Sequence, residues 1–89
     1  MPKFQIVTPH DGAQCVQALE ESLEHNPDFH SQLLFGCRFG DHTGYAVVEA
    51  TSEDEARSKL PRTHQKRARV VVVEHVTPED IRSVHDKVT

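Results

Sequence analysis

The sequence predicts an α+β domain with elements in the order β-α-β-β-α-β and a helix at the C-terminal end. Apolar runs of strand type recur at residues 3–8, 32–39, 45–50 and 70–73. Helix-start signals stand after the first and third of these runs. Only a short stretch rich in turn residues, 40–44, separates the second run from the third, so those two read as a hairpin.

The first strand, 3–8, places Phe4 and Ile6 on one face, and Thr8-Pro9-His10 ends it. Asp11 is the expected N-cap of the first helix, with Gln14 three residues on to complete a capping box. Val16, Leu19 and Leu23 then fall at i, i+3 and i+7, the expected apolar stripe. Asn26-Pro27 stops the helix, because a residue before proline avoids the α region.

In the strand expected over 32–39, Leu33, Phe35, Cys37 and Phe39 alternate with Gln32, Leu34, Gly36 and Arg38. Its hairpin partner runs over 45–50. Ser52 with Glu55 forms a second capping box and opens a short helix through Leu60, closed by Pro61. Residues 62–67 read as a basic loop. Val70-Val71-Val72-Val73 is the strongest strand signal, since β-branched side chains favour a pleated surface. Thr77 caps the last helix with Pro78 at its first position, and Ile81, Val84 and Val88 make its stripe.

This order is the ferredoxin-like βαββαβ pattern, with an antiparallel four-stranded sheet as one domain over residues 1–89. Both helices of that pattern cover one sheet face. Phe4, Ile6, Leu33, Phe35, Cys37, Ala46, Val48, Val70 and Val72 are expected there. Val7, Leu34, Tyr45, Val47, Val71 and Val73 are expected on the other face, with Gln5, Arg38, Glu49 and His75 among them. That second face is too apolar to stand open to water. A small domain of 89 residues also has a thin core. The expectation is a homodimer that pairs these faces, since two-fold pairing is the commonest oligomeric solution.

On this arrangement the chain resembles the dimeric α/β-barrel group of ferredoxin-like proteins, which includes small monooxygenases, isomerases and binding proteins. Phe35-Gly36-Cys37-Arg38-Phe39-Gly40-Asp41-His42, Tyr45-Ala46-Val47-Val48-Glu49 and Ala56-Arg57-Ser58-Lys59-Leu60-Pro61 also resemble a small bacterial family. That family carries a Gly-Cys, a Gly-x-His turn and a helix ending in Leu-Pro, and it brings no established activity.

The totals narrow the function classes. No apolar run reaches the roughly 20 residues of a membrane span, and residues 1–5 lack a secretory core, so a cytoplasmic location is the default. The net charge of −4 disfavours nucleic acid as a partner. Two cysteines make no disulfide framework and are expected as thiols. Seven histidines among 89 residues are the unusual count, and histidine is a common metal ligand.

The topology gathers His10, Asp11, Cys37, Asp41, His42 and His64 at one end of the sheet, with Cys15 nearby. Cys37 thiolate with His10 and His42 imidazoles suits zinc, nickel or copper, and Asp11 or Asp41 would add a ligand or an outer contact. The C-x4-H spacing is not a finger pattern, and a buried structural thiol is the competing reading of Cys37. His30 lies seven residues before Cys37, about 23 Å away along a straight strand and on the opposite face, so the two share a metal only if the segment bends or a second subunit contributes.

An alternative is a cofactor-independent enzyme of the barrel type. There His75 is general base, Glu49 tunes it, Arg38 holds an anionic oxygen and Tyr45 orients a small ligand. The competing reading of Arg38 and Glu49 is a cross-strand pair at a dimer seam. A third reading starts from Gly44, Tyr45, Ala46 and Val48, which match the RNP1 strand of RNA-recognition motifs. Thr43 replaces its basic residue, Val47 and Ala50 replace aromatics, and Phe4 is a shifted counterpart of the partner aromatic. The basic stretch 62–69 adds a candidate anion site.

Overall fold

The computed structural model describes residues 1–82. The strands are β1 (Lys3–Pro9), β2 (Leu34–Gly36), β3 (Asp41–Glu49) and β4 (Arg69–Val73). The helices are α1 (Cys15–His25), α2 (Pro27–His30), α3 (Glu53–Arg57) and α4 (Arg62–Gln65). Two 3-10 turns, Gly12–Gln14 and Cys37–Phe39, precede α1 and β3. A C-terminal helix begins at Pro78. The expected stripe residues Val84 and Val88 lie outside the described residues.

The sheet is antiparallel with order β2-β3-β1-β4, the ferredoxin-like arrangement. Register follows the hydrophobic pattern. Phe4 stands between Val48 and Val72, and Ile6 between Ala46 and Val70. These rows face the helices and make the core with Phe29, Leu33, Ala56, Leu60 and Ala68. Ile6 and Leu60 are its fully buried large side chains. Val72 belongs to the same face but sits on the outer strand, where it is 64% exposed.

Several local expectations are corrected. The second strand does not run over 32–39. Its pairing slips after Phe35, so that Gly36 pairs with Asp41, and Cys37 opens a 3-10 turn. Gly40 ends that turn at φ +90, a conformation that favours glycine. A side chain at Gly36 would meet Asp41 Cβ at 2.9 Å. The two glycines therefore fold the strand end back on itself. Phe39 leaves the sheet and is 90% exposed.

Helix α1 is rotated away from its expected face. Ala18 and Ser22 point inward, while Val16 and Leu23 are exposed. Ala18 and Ser22, at i and i+4, share one buried face of the helix. No Asp11 or Gln14 side-chain cap forms; Gln14 N–H instead donates to the Asp11 carbonyl at 2.9 Å.

Asn26-Pro27 ends α1 as expected and also starts α2. The Asn26 side chain accepts from Phe29 N–H at 3.1 Å, and Pro27 occupies the first turn. This turn buries Phe29 in the core. The basic stretch is likewise not a plain loop, for it contains α4. Arg57 pins it there, donating to the carbonyls of Gln65 at 2.6 Å and Ala68 at 2.8 Å.

Two cap assignments hold. Ser52 Oγ accepts from Glu55 N–H at 3.1 Å. Thr77 Oγ1 accepts from Asp80 N–H at 3.3 Å, and the Asp80 carboxylate accepts from Thr77 N–H at 3.0 Å.

The opposite sheet face carries Val7, Leu34, Tyr45, Val47, Val71 and Val73 as expected from period two. Leu34 is 74% and Val47 57% exposed in the single chain.

A candidate Cys2His2 metal centre

His10 and His42 meet because they extend the helix-facing rows of β1 and β3. The pairs Ile6–Ala46 and Thr8–Gly44 lead to the next position on that face. There His10 N–H donates to the His42 carbonyl at 2.9 Å. Their ring centroids are 5.8 Å apart. The turn after β2 brings Cys37 up to them, with its Sγ 3.4 Å from His10 Nε2. Cys15 reaches the same point from the first residue of α1, a position where a helix stabilises negative charge.

The four ligand atoms of His10, Cys15, Cys37 and His42 lie within 4.8 Å of one another, and all four residues are half-buried. Gly12 makes the closeness possible. A Cβ there would stand 3.0 Å from His42 Nε2 and 3.2 Å from its Cδ2. Gly12→Ala is expected to displace the His42 ring by a few tenths of an ångström. Its effect on a bound ion should resemble loss of an outer contact, roughly tenfold in affinity. Because Gly12 is exposed, the melting temperature of the metal-free protein should barely move.

The electrostatics favour a neutral His10 imidazole and a protonated Cys37 thiol in the metal-free chain. Burial is the main force lowering the His10 pKa, helped by His42 and His64. Burial and the adjacent Cys15 thiol push the Cys37 pKa up. His42 Nδ1 is buried with no hydrogen-bond partner among the described residues, a state that costs about 1–3 kcal/mol if nothing satisfies it.

His64 lies outside the cluster. It lines a neighbouring cleft of about 220 Å³ between α1 and α4, which His10 also lines. There His64 Nε2 is 3.6 Å from Glu21 Oε2, an oxygen that also accepts from Thr63 Oγ1 at 2.9 Å. Burial is the main cause lowering the His64 pKa, and Glu21 opposes it.

A pH dependence follows from these two histidines. Each has a folded pKa below its ordinary value of 6.5. Between those folded values and 6.5 the unfolded chain binds more protons, so stability is lost as pH falls through that window. The metal-free protein should therefore melt at progressively lower temperature as pH is taken below 6.5. A scanning-calorimetry series across pH 8 to 5 checks this, and His64→Gln should flatten the slope.

The other site candidates are dispersed. Asp11 approaches Arg67 at 3.8 Å on the surface. Asp41 accepts from Tyr45 Oη at 2.6 Å, which lowers the Asp41 pKa and raises that of Tyr45. Glu49 pairs in register with Lys3. Arg38 lies in the exposed 3-10 turn, and His75 follows the end of β4. Neither described cleft is lined by Arg38, Tyr45, Glu49 or His75. His30 Nδ1 is 3.1 Å from Ser22 Oγ, away from the cluster. Phe4 is buried on the helix side, so it is no stacking partner for a base on the open face.

Cys15 is the ligand candidate that the strand-based reading left at the margin. Its signal is present in the spacing. His10 and Cys15 are separated by five positions (15 − 10), and Cys37 and His42 by five (42 − 37). The paired H-x4-C and C-x4-H intervals become visible as one site once β1 and β3 are known to be neighbours.

Fold and cluster together define an α+β domain of ferredoxin-like architecture with a Cys2His2 cluster that could hold a metal ion at one end of its sheet. No family model, curated protein or solved structure matches the chain. No described helix is long and apolar enough to cross a membrane.

Proposed function

We propose that this protein is a small metal-binding domain whose centre is His10, Cys15, Cys37 and His42. The carrying observation is the convergence of four ligand atoms within 4.8 Å from two segments of the chain, His10–Cys15 and Cys37–His42. Two thiolates and two imidazoles in that number suit a tetrahedral zinc-type ion better than hard cations. Nickel or copper are the competing ions for the same donors. Four protein ligands leave no open position, which favours a structural, storage or sensing role over hydrolysis. The buried His42 Nδ1 has no hydrogen-bond partner among the described residues, and coordination of an ion by that nitrogen would satisfy it. A reducing cytoplasm would keep both thiols available as ligands.

Titration of the reduced, untagged protein with zinc against a chromogenic chelator tests the proposal. One ion per chain at submicromolar affinity or tighter is expected. Chelator competition that shows no binding would remove it.

The proposal includes a homodimer of the dimeric α/β-barrel kind, formed through the open sheet face. The exposure of Leu34 and Val47 in the single chain supports it. Val47→Asp should convert such a dimer to monomer in sedimentation equilibrium. A wild-type protein that sediments as monomer at tens of micromolar would contradict this part alone.

A further inference from the structure

We infer that Cys15 and Cys37 are also an oxidation site, at which a disulfide and a bound metal exclude one another. The inference deepens the metal-binding reading and rests on it for the competition, though not for the disulfide itself.

The chain has two cysteines, separated by 22 positions (37 − 15), and folding brings them to one place. Their sulfurs are no more than 4.8 Å apart. Both are free and only half-buried, so a small oxidant can reach them. Neither belongs to the buried core cluster, where a thiol would serve simply as a small apolar group.

Each sulfur also sits where the backbone can adjust. Cys15 stands at the junction of a 3-10 turn and α1, and Cys37 opens the 3-10 turn beyond the paired part of β2. A disulfide of about 2 Å asks for a closure of under about 3 Å. That closure falls on the turns and leaves the β1–β3 ladder intact.

The chemistry needs a peroxide as oxidant. One thiol gives up its proton and its sulfur attacks a peroxide oxygen. The O–O bond breaks, and the departing oxygen takes a proton and leaves as water, giving a sulfenic acid. The second thiolate attacks that sulfur. An S–S bond forms, the S–O bond breaks, and the hydroxide takes a proton to leave as a second water. Two thiols and one hydrogen peroxide thus yield one disulfide and two waters, with two electrons passing from sulfur to oxygen. A dithiol reductant reverses the bond by exchange.

Metal and disulfide draw on the same sulfur lone pairs. A bound ion therefore shields both thiolates from peroxide. Once the disulfide has formed, only the His10 and His42 imidazoles remain as donors, and the charged ligands are gone. Oxidation thus releases the ion and reduction restores the site.

Reduced metal-free and zinc-loaded samples exposed to hydrogen peroxide test this by intact mass, peptide mapping and released zinc. The metal-free chain should lose two hydrogens as a monomer, with Cys15 linked to Cys37. Its zinc affinity should fall by about a hundredfold or more and return on reduction. The loaded protein should oxidise more slowly and free one zinc per disulfide. Sulfinic acid or intermolecular disulfides without the Cys15–Cys37 link would overturn the inference, as would an oxidised chain that binds zinc unchanged. In both cases zinc uptake by the reduced protein leaves the metal-binding reading standing. A reduced chain that takes up no zinc defeats the competition and that reading together, whether or not the disulfide forms.

Discussion

Cys37→Ser is expected to weaken zinc binding by about a hundredfold while leaving the metal-free fold in place. Structural zinc sites bind with roughly 10–16 kcal/mol shared among four ligands, so each contributes about 3 kcal/mol. At 1.4 kcal/mol per tenfold, that share is about two decades of affinity. A serine hydroxyl is a poor replacement because it stays protonated and is a hard donor. Cys37 lies outside the buried core cluster, so the fold loses little packing. Cys15→Ser should act to the same degree, although it sits 22 positions away (37 − 15). Equal losses for the two would place both sulfurs on one ion. A loss at Cys37 alone would make Cys15 a bystander.

Leu60→Ala should lower the melting temperature by about 15 °C. Leu60 is fully buried, and truncating such a leucine costs about 2–5 kcal/mol in transfer and cavity terms. A domain of 89 residues has a total stability of only about 4–13 kcal/mol at 0.05–0.15 per residue. Each kcal/mol corresponds to roughly 4–8 °C at this size. The cavity would open beside Ala18, Leu33 and Phe35, next to the cleft that His10 and His64 also line. The natural control is Val16→Ala. Helical spacing places Val16 in the apolar stripe of α1, yet it is 69% exposed. Its truncation should cost no more than about 0.5 kcal/mol. Thermal melts at pH 7.5 check both: a large drop for Leu60→Ala marks it as core, and no drop for Val16→Ala places that face of α1 outside.

Strand pattern carried far here because one residue in two must face the helices. Phe4, Ile6, Ala46, Val48 and Val70 are buried as their alternation requires. The open face follows from the same rule. So does the meeting of His10 and His42 at one sheet end.

Helix phase was less legible. Ala18 and Ser22 are weak hydrophobic signals, yet both are buried, and Ser22 Oγ also meets His30 Nδ1 at 3.1 Å. The apolar stripe of Val16 and Leu23 pointed the other way. The end of β2 is hidden in the sequence because Leu33, Phe35, Cys37 and Phe39 keep perfect alternation while Gly36 and Gly40 break the backbone. Glycines at that spacing outweigh the pattern of their neighbours. That break is what presents Cys37 to the site, and the rotation of α1 is what presents Cys15. Both local errors therefore fell on the elements that supply the thiols.

The centre's composition is tested most directly by zinc K-edge X-ray absorption on the reduced, zinc-loaded protein. The account predicts two sulfur neighbours near 2.3 Å and two nitrogen neighbours near 2.0 Å, the latter with the outer-shell scattering of imidazole. A first shell of nitrogen and oxygen alone would contradict it.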